Sequence, residues 1–291
     1  MRSEQEMMAI ILDTAQEDDR IRAVMMNGSR ANPNVPRDEF QDYDIVYFVQ
    51  ETASFRSEPC WIDRFGERLI MQLPDDNEFY PMAEPTDRLV YLMQFQDGNR
   101  IDLTLIPLAQ RQQLMKPDSL SVLLMDKDGT IGPLPDSNDS DYHIRRPTEK
   151  QFQGACNEFW WICLNMAKGL WREELTYVMF MYEQINRNVL IQMLEWKIGM
   201  RTDFTMSAGK CGKYMADYLS AEEWQAFTMT YPNAADYDHI WQALFKMGDM
   251  FSRTAQEVAA YLDFAYVHAE ERNVRAYLHQ VRNRPKKHEA R

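Results

Sequence analysis

Residues 27–50, NGSRANPNVPRDEFQDYDIVYFVQ, contain the pattern that decides the fold and raises the first question about function. A Gly28–Ser29 turn precedes two carboxylates, Asp42 and Asp44, at the head of an apolar run. Because residues i and i+2 of a strand point to the same face, the two carboxylates are expected to lie side by side. Adjacent like charges raise each other's pKa unless a cation lies between them. The pattern therefore predicts a metal site.

The composition of the chain limits the classes of function. Its 291 residues suit two domains, and its net charge of -13 argues against sequence-independent binding to nucleic acid and favours cationic partners. No apolar run approaches the roughly 20 residues of a membrane span, and the N-terminus is too polar for a secretory signal. Four cysteines without a C-x-x-C pair, and histidines scattered singly, indicate a cytoplasmic protein with reduced thiols and no zinc site. The sequence does not distinguish a monomer from a homodimer.

The sequence pattern of the first third of the chain predicts a small mixed α/β domain that reaches to about residue 110. Ser3 followed by Glu6 fits a capping box, and a helical apolar spacing continues behind it. Short β-branched and aromatic runs then predict strands. They are IRAVMMNGS (a strand that runs into the turn), YDIVYFV, RLIMQL, LVYLMQF (a strand or a short helix) and RIDLTLIPL.

The rest of the chain divides into a connecting segment and a helical domain. Residues 116–147 are rich in Pro, Gly, Ser and Asp, which predicts a segment that connects two domains. Its DKDGT sequence fails the calcium-loop pattern because Ile131 and Ser137 stand where Gly and Glu are required. Beyond Pro147 the apolar residues recur at helical spacing. We therefore predict a mixed-sheet domain over 1–147, including the connecting segment, and a helical bundle over 148–291.

A third carboxylate completes the predicted metal site. In RIDLTL, Asp102 and Thr104 share one strand face, while apolar residues occupy the other. Three carboxylates around a hard cation such as Mg²⁺ would orient a triphosphate. Gly28 would let the backbone approach a phosphate, and Ser29 can donate hydrogen bonds to it. The glycine-serine turn and the three carboxylates, in this order along the chain and on these predicted strands, favour a nucleotidyltransferase.

Longer strings of the sequence extend this interpretation: DRIRAVMMNGSRANPN, DEFQDYDIVYFV, FGERLIMQLP, IDLTLIPL, DYHIRRP, CNEFWW, KGLWREEL, WKIGM and SAGK. From the N-terminus to about Ala265 the chain resembles the aminoglycoside 6-adenylyltransferases, which modify streptomycin. The resemblance implies a nucleotidyltransferase-fold N-terminal domain of mixed sheet and a helical C-terminal domain. It also implies an activity that moves AMP from ATP to a hydroxyl of streptomycin with Mg²⁺ and releases pyrophosphate.

The resemblance assigns roles to residues of the first domain. Gly28, Ser29 and the following Arg30 match the nucleotide-binding turn. Asp42 and Asp44 match the metal pair, and Asp102 matches the third carboxylate. The general base stays open: it is either Asp102 or a carboxylate on the strand that lies between these elements along the chain. Glu67 is the candidate on that intervening strand. It is more simply read without a catalytic role, as an exposed charge at a strand edge.

Residues of the second domain are candidates for the two substrates. SAGKCGK offers Lys210 and Lys213, near an expected helix N-terminus, for the triphosphate, and Lys168 is a further candidate. The guanidinium groups of streptomycin favour carboxylates and aromatic faces. The candidates are Glu158, Trp160 and Trp161 in NEFWW, and Asp139 and Asp141 in the connecting segment. Trp at helical spacing is more often a core residue than one that stacks on a ligand.

Two alternatives remain beside the streptomycin enzyme. The same fold can act on another hydroxylated acceptor, or the chain can be a regulatory relative that binds nucleotide without turnover. Loss of one of the three carboxylates would favour the second alternative, but all three are present.

Overall fold

The computed structural model describes residues 1–79, 87–114 and 118–285. The chain divides into two compact units, Met1–Asp141 and Tyr142–Arg291. The predicted domain boundary after Pro147 lies a few residues beyond this division. Two parts of the predictions lie outside the described residues: the start of the connecting segment at 116–117 and the end of the polar tail at 286–291.

The first unit is built on a six-stranded mixed sheet with the order β3-β4-β5-β2-β1-β6. β2 and β5 run parallel, and the other neighbouring pairs are antiparallel. The strands are β1 (Ile21–Asn27), β2 (Tyr43–Val49), β3 (Arg68–Gln72), β4 (Leu89–Phe95), β5 (Arg100–Pro107) and β6 (Ser121–Asp126). The five strands predicted from sequence are confirmed, and LVYLMQF is a strand because its side chains alternate between buried and half-buried positions.

The sixth strand corrects the prediction for the connecting segment. Ser121–Asp126 pairs antiparallel with β1 and forms an edge of the sheet. Its short apolar run satisfies the backbone hydrogen bonds of β1, which would otherwise be the edge strand. The segment is therefore part of the sheet and does more than connect the two units.

One face of the sheet is covered by the helix α1 (Glu4–Glu17), which begins with the predicted capping box of Ser3 and Glu6. Met7 and Ile11 pack in one core cluster with the odd-numbered residues of β2 and β5, such as Ile45 and Leu103. The even-numbered residues of these strands point to the opposite face, so that face carries the carboxylates. The unit also contains two short helices, α2 (Ala53–Ser57) and α3 (Arg111–Leu114).

The second unit is helical throughout its described residues, as its periodicity predicts. Its core is rich in aromatic rings, and Phe159 stacks on Phe251 with ring centroids 3.8 Å apart. None of the described helices is long and apolar enough to cross a membrane. The helices are α4 (Glu149–Arg172), α5 (Leu175–Phe180), a π-helical turn (Met181–Asn186), α6 (Arg187–Arg201), α7 (Met215–Tyr218), α8 (Ala221–Thr228), α9 (Tyr237–Leu262) and α10 (His268–Arg282).

Candidate active site

The strand register brings two of the predicted carboxylates together. Asp44 of β2 lies opposite Asp102 of the parallel strand β5 and opposite Asn27 of β1. Neighbouring residues of paired strands share a face, so the two aspartates occupy adjacent places on the face away from α1. Asp42 precedes β2 and is also half-buried.

The Gly28 turn lies directly against Asp44. Gly28 has φ +73°, and a Cβ atom built on it would come within 1.9 Å of the Asp44 Oδ2 atom. Gly28 begins a single 3₁₀ turn that ends at Ala31, and the half-buried Ser29 follows it. Only glycine combines this positive φ with so close an approach of backbone and carboxylate. The predicted phosphate-binding turn is therefore in contact with Asp44, one member of the predicted metal pair.

Arg100 joins the carboxylates and was missed in the sequence analysis. Its Nε and Nη2 atoms donate to the two oxygens of Asp102 at 2.7 and 2.8 Å, and Nε lies 3.6 Å from Asp42 Oδ2. The hydrogen bond to Asp102 is the main reason why the pKa of Arg100 is raised, and burial opposes it. The i, i+2 spacing of Arg100 and Asp102 was the signal that could have identified it.

The environment of Asp42 raises the pKa of its carboxyl group. Burial is the main cause, and the negative charge of Asp102 adds to it. Arg100 and Arg30 act in the opposite direction. A divalent cation would relieve the same repulsion, since it neutralises neighbouring carboxylates directly.

The donor chemistry fits Mg²⁺, which prefers carboxylate oxygens. Asp42, Asp44 and Asp102 are the residues that would hold it. In the described part of the chain, however, no three His, Cys, Asp or Glu side chains form a group that could hold a metal ion as they stand. Asp102 directs both of its oxygens to Arg100, so each of them already accepts one hydrogen bond.

Glu67, the second candidate for the general base, is not brought to this cluster. It is exposed and lies just before the edge strand β3, where its carbonyl accepts a hydrogen bond from the Gln96 N–H. Asp102 pairs with Leu92, four residues before Gln96 in sequence. Glu67 is thus displaced by roughly 13 Å along the strands and by two strand spacings, or about 10 Å, across the sheet.

Arg30 lies within the turn, but its side chain faces inward. Its side chain is 5% exposed, and Nε and Nη2 both donate to the Gln41 carbonyl, at 3.1 and 2.9 Å. Asp141, another predicted site residue, is exposed, and its Oδ2 atom accepts a hydrogen bond from the Ser119 N–H at 2.9 Å.

The candidates on α4 have different surroundings within the second unit. Glu158 and Lys168 are exposed. Trp160 is 3% exposed, and its indole N–H donates to the Tyr266 hydroxyl. Burial leaves no face of the Trp160 ring for a ligand, which corrects its assignment to substrate binding. Its neighbour Trp161 is 60% exposed, and helical geometry places these consecutive residues about 100° apart around the axis.

The SAGKCGK segment forms a glycine-rich turn. Lys210 and Lys213 are both exposed, and the Lys213 Nζ atom lies 4.9 Å from the ring centroid of Tyr214. Gly209 and Gly212 have positive φ angles and allow the chain to reverse tightly. The expected helix N-terminus is a 3₁₀ turn of three residues followed by the four-residue helix α7.

The chain is similar to known proteins over most of its length. Residues 1–281 match the family model described as streptomycin adenylyltransferase. The chain is 42% identical over 266 residues to an aminoglycoside 6-adenylyltransferase of Campylobacter jejuni, with 91% of each chain covered. It is 40% identical over 267 residues to one of Bacillus subtilis (strain 168), with 91% of this chain and 93% of the relative covered.

A solved structure also aligns with the chain. It is the crystal structure of an aminoglycoside 6-adenyltransferase from Bacillus subtilis, with 35% identity and a TM-score of 0.48. The alignment covers 98% of this chain and 100% of that one. The family match and the sequence relatives together confirm the resemblance seen in the sequence strings. The chain belongs to the streptomycin adenylyltransferase family and is a nucleotidyltransferase enzyme.

Proposed function

We propose that this enzyme transfers AMP from ATP to a hydroxyl group of streptomycin in the cytoplasm and thereby inactivates the antibiotic. The observation that carries the proposal is the contact between the Gly28 turn and Asp44, with Asp102 at the adjacent strand position. A phosphate-approaching turn next to paired carboxylates is what the transfer of a nucleotidyl group requires. The names of the relatives support an aminoglycoside as the acceptor.

In this proposal the turn and the carboxylates both act on the triphosphate, the turn through its backbone and hydroxyl donors and the carboxylates through a metal ion. Gly28 admits the triphosphate close to the backbone, and Ser29 donates hydrogen bonds to it. The acceptor oxygen forms a bond to the α-phosphorus, and the bond from that phosphorus to the pyrophosphate breaks in line with it. Asp42, Asp44 and Asp102 would hold Mg²⁺, which neutralises triphosphate charge when bound.

The acceptor hydroxyl must lose its proton during the reaction. Asp102 is the better candidate for the general base than Glu67, since it lies beside Asp44, while Glu67 lies three strand positions from the strand of Asp44. Arg100 holds Asp102 in one orientation until the substrates arrive.

The electrostatics favour a cationic acceptor. The net charge of -13 draws in guanidinium groups, and the exposed carboxylates Glu158 and Asp141 are suited to pair with them. The exposed lysines Lys168, Lys210 and Lys213 carry the charge that the triphosphate requires.

The test is pyrophosphate release from ATP and Mg²⁺ with a panel of streptomycin, kanamycin and spectinomycin. Streptomycin should stimulate release far above the other two antibiotics. Equal turnover of all three, or none with streptomycin, would refute the proposed acceptor. Turnover with only one of the other compounds would identify the same fold acting on a different hydroxyl.

A further inference from the structure

Arg30 is a buried cation at the junction of three elements of the first unit. Two of its nitrogens donate to the Gln41 carbonyl, and its Nη1 atom lies 3.4 Å from the Glu4 Oε2 atom in the first turn of α1. The guanidinium carbon is 3.9 Å from the ring centroid of Tyr43. All three guanidinium nitrogens therefore have a partner, and the one bound by Nη1, Glu4, is itself 54% exposed.

The partners of Arg30 lie on both sides of Asp42. The chain leaves the phosphate-binding turn at Ala31, makes a long loop and returns at Gln41, where Arg30 binds the carbonyl. The next contact of Arg30 is the ring of Tyr43, the first residue of β2. Arg30 thus closes the loop and fixes the backbone on either side of Asp42.

We propose that Arg30 is a positioning residue that sets the place of Asp42 and Asp44 relative to the Gly28 turn. The catalytic meaning of that placement rests on the proposed function, but the placement itself does not. Arg30 lies two residues after Gly28, so a single short segment contacts Asp44 through its glycine and holds the loop before it through its arginine.

The burial of Arg30 distinguishes this role from nucleotide binding. A phosphate contact needs exposed donors, whereas only 5% of this side chain is exposed. Arg37 is the matched contrast, because it pairs with the same Glu4 carboxylate at 3.6 Å but is 50% exposed.

Lysine is not an adequate substitute for Arg30. The planar guanidinium sends two donors to one carbonyl, pairs with a carboxylate and stacks on a ring at the same time. A single ammonium group cannot meet these three partners from one position. The conservative variant Arg30→Lys should therefore resemble Arg30→Met.

The test compares Arg30→Lys and Arg30→Met with the control Arg37→Met by three measurements. Hydrogen exchange of peptides from 36–48 should become about ten- to a hundredfold faster in the Arg30 variants, the equivalent of lost charge-assisted hydrogen bonds. Peptides from 89–106 should be unchanged. The kcat with streptomycin, measured well below the unfolding temperature, should fall by roughly a hundredfold. The Kd for ATP should stay within about threefold, since a tenfold change would correspond to about 1.4 kcal/mol of lost contact.

Three results would overturn the inference. An ATP affinity weakened tenfold or more, with normal exchange at 36–48, would make Arg30 a nucleotide contact. Normal kcat with a lower melting temperature would make it a purely structural residue, and so would full rescue by lysine. If Arg30→Met does not fold, Glu4→Gln provides the milder perturbation, with a smaller but still local rise in exchange at 36–48. If the wild-type protein turns over no aminoglycoside, the proposed function fails, while the exchange measurement still decides the role of Arg30.

Discussion

Replacing Gly28 by alanine tests the contact between the turn and the carboxylate most directly. The new Cβ atom would lie 1.9 Å from Asp44 Oδ2 and 2.8 Å from its Cγ. Non-bonded atoms attract at about 3.5 Å, so the carboxylate must move by roughly 1.6 Å. The backbone cannot relieve the overlap easily, since Asp44 is fixed in β2 between two neighbouring strands.

The cost of this substitution has two parts. A side chain at φ +73° costs about 1–2 kcal/mol of folding free energy. Forcing Asp44 off its rotamer adds about 0.5–1.5 kcal/mol. The melting temperature should fall by about 2–4 °C for each kcal/mol. A misplacement of about 1 Å can lower the rate a hundredfold, so turnover should fall by at least that factor.

The control is Gly132→Ala, in the same unit. Gly132 has φ +76°, but no atom lies within 4 Å of a Cβ atom built there. This variant carries the same backbone strain without the collision, so it should lose about 1–2 kcal/mol of stability and keep its turnover. The assays are calorimetric melting and pyrophosphate release at a temperature where both variants are folded.

The outcome that would refute the reasoning is a Gly28→Ala variant that retains more than a tenth of the wild-type turnover. Asp44 would then tolerate displacement, and its place against the turn would have no catalytic meaning. Equal loss of turnover in Gly132→Ala would trace the effect to backbone strain in general.

Three further predictions concern charge. Asp44→Asn should melt at nearly the same temperature, because removing one of several like charges relieves repulsion, and should lose at least about a hundred- to a thousandfold in rate; more than a tenth of normal turnover would contradict a metal role. Lys213→Ala should weaken ATP binding about ten- to a hundredfold and leave streptomycin affinity unchanged, as titration calorimetry can show. The hydrogen bond from Arg201 is the main cause that holds the pKa of Glu223 well below its usual 4.5, so this carboxylate stabilises the fold above pH 4.5. Glu223→Gln should therefore lower the melting temperature at pH 7, and the difference should shrink as the pH falls below 4.5; a constant difference would contradict the ion pair.

Local sequence pattern was sufficient to predict some features of the candidate site and of the fold. The alternation of a strand fixes which residues share a face, so Asp102 could be assigned a face of its own strand. The placement of Asp42 beside Asp44 stays a prediction, because β2 begins at Tyr43 and Asp42 precedes it. The capping box at Ser3 and the helical texture beyond Pro147 are local in the same sense.

Contacts between residues on different strands could be established only from the tertiary structure. The register of β2 against β5 places Asp44 beside Asp102, and no local rule fixes a parallel register between strands so far apart in sequence. Strand alternation alone could place Arg100 on the face of Asp102, but the bidentate ion pair between them required side-chain positions.

The tertiary structure also decided which of the candidate side chains are buried. Trp160 and Trp161 are adjacent and chemically identical, yet only packing against the neighbouring helices decides that Trp160 is in the core. Arg30 adjoins the phosphate-binding turn in sequence and suggests a phosphate ligand, but the return of the chain at Gln41 encloses its guanidinium. The sequence determined which chemical groups are present and in what local order. The fold decided which of them meet, because contacts between distant segments depend on how the whole chain packs.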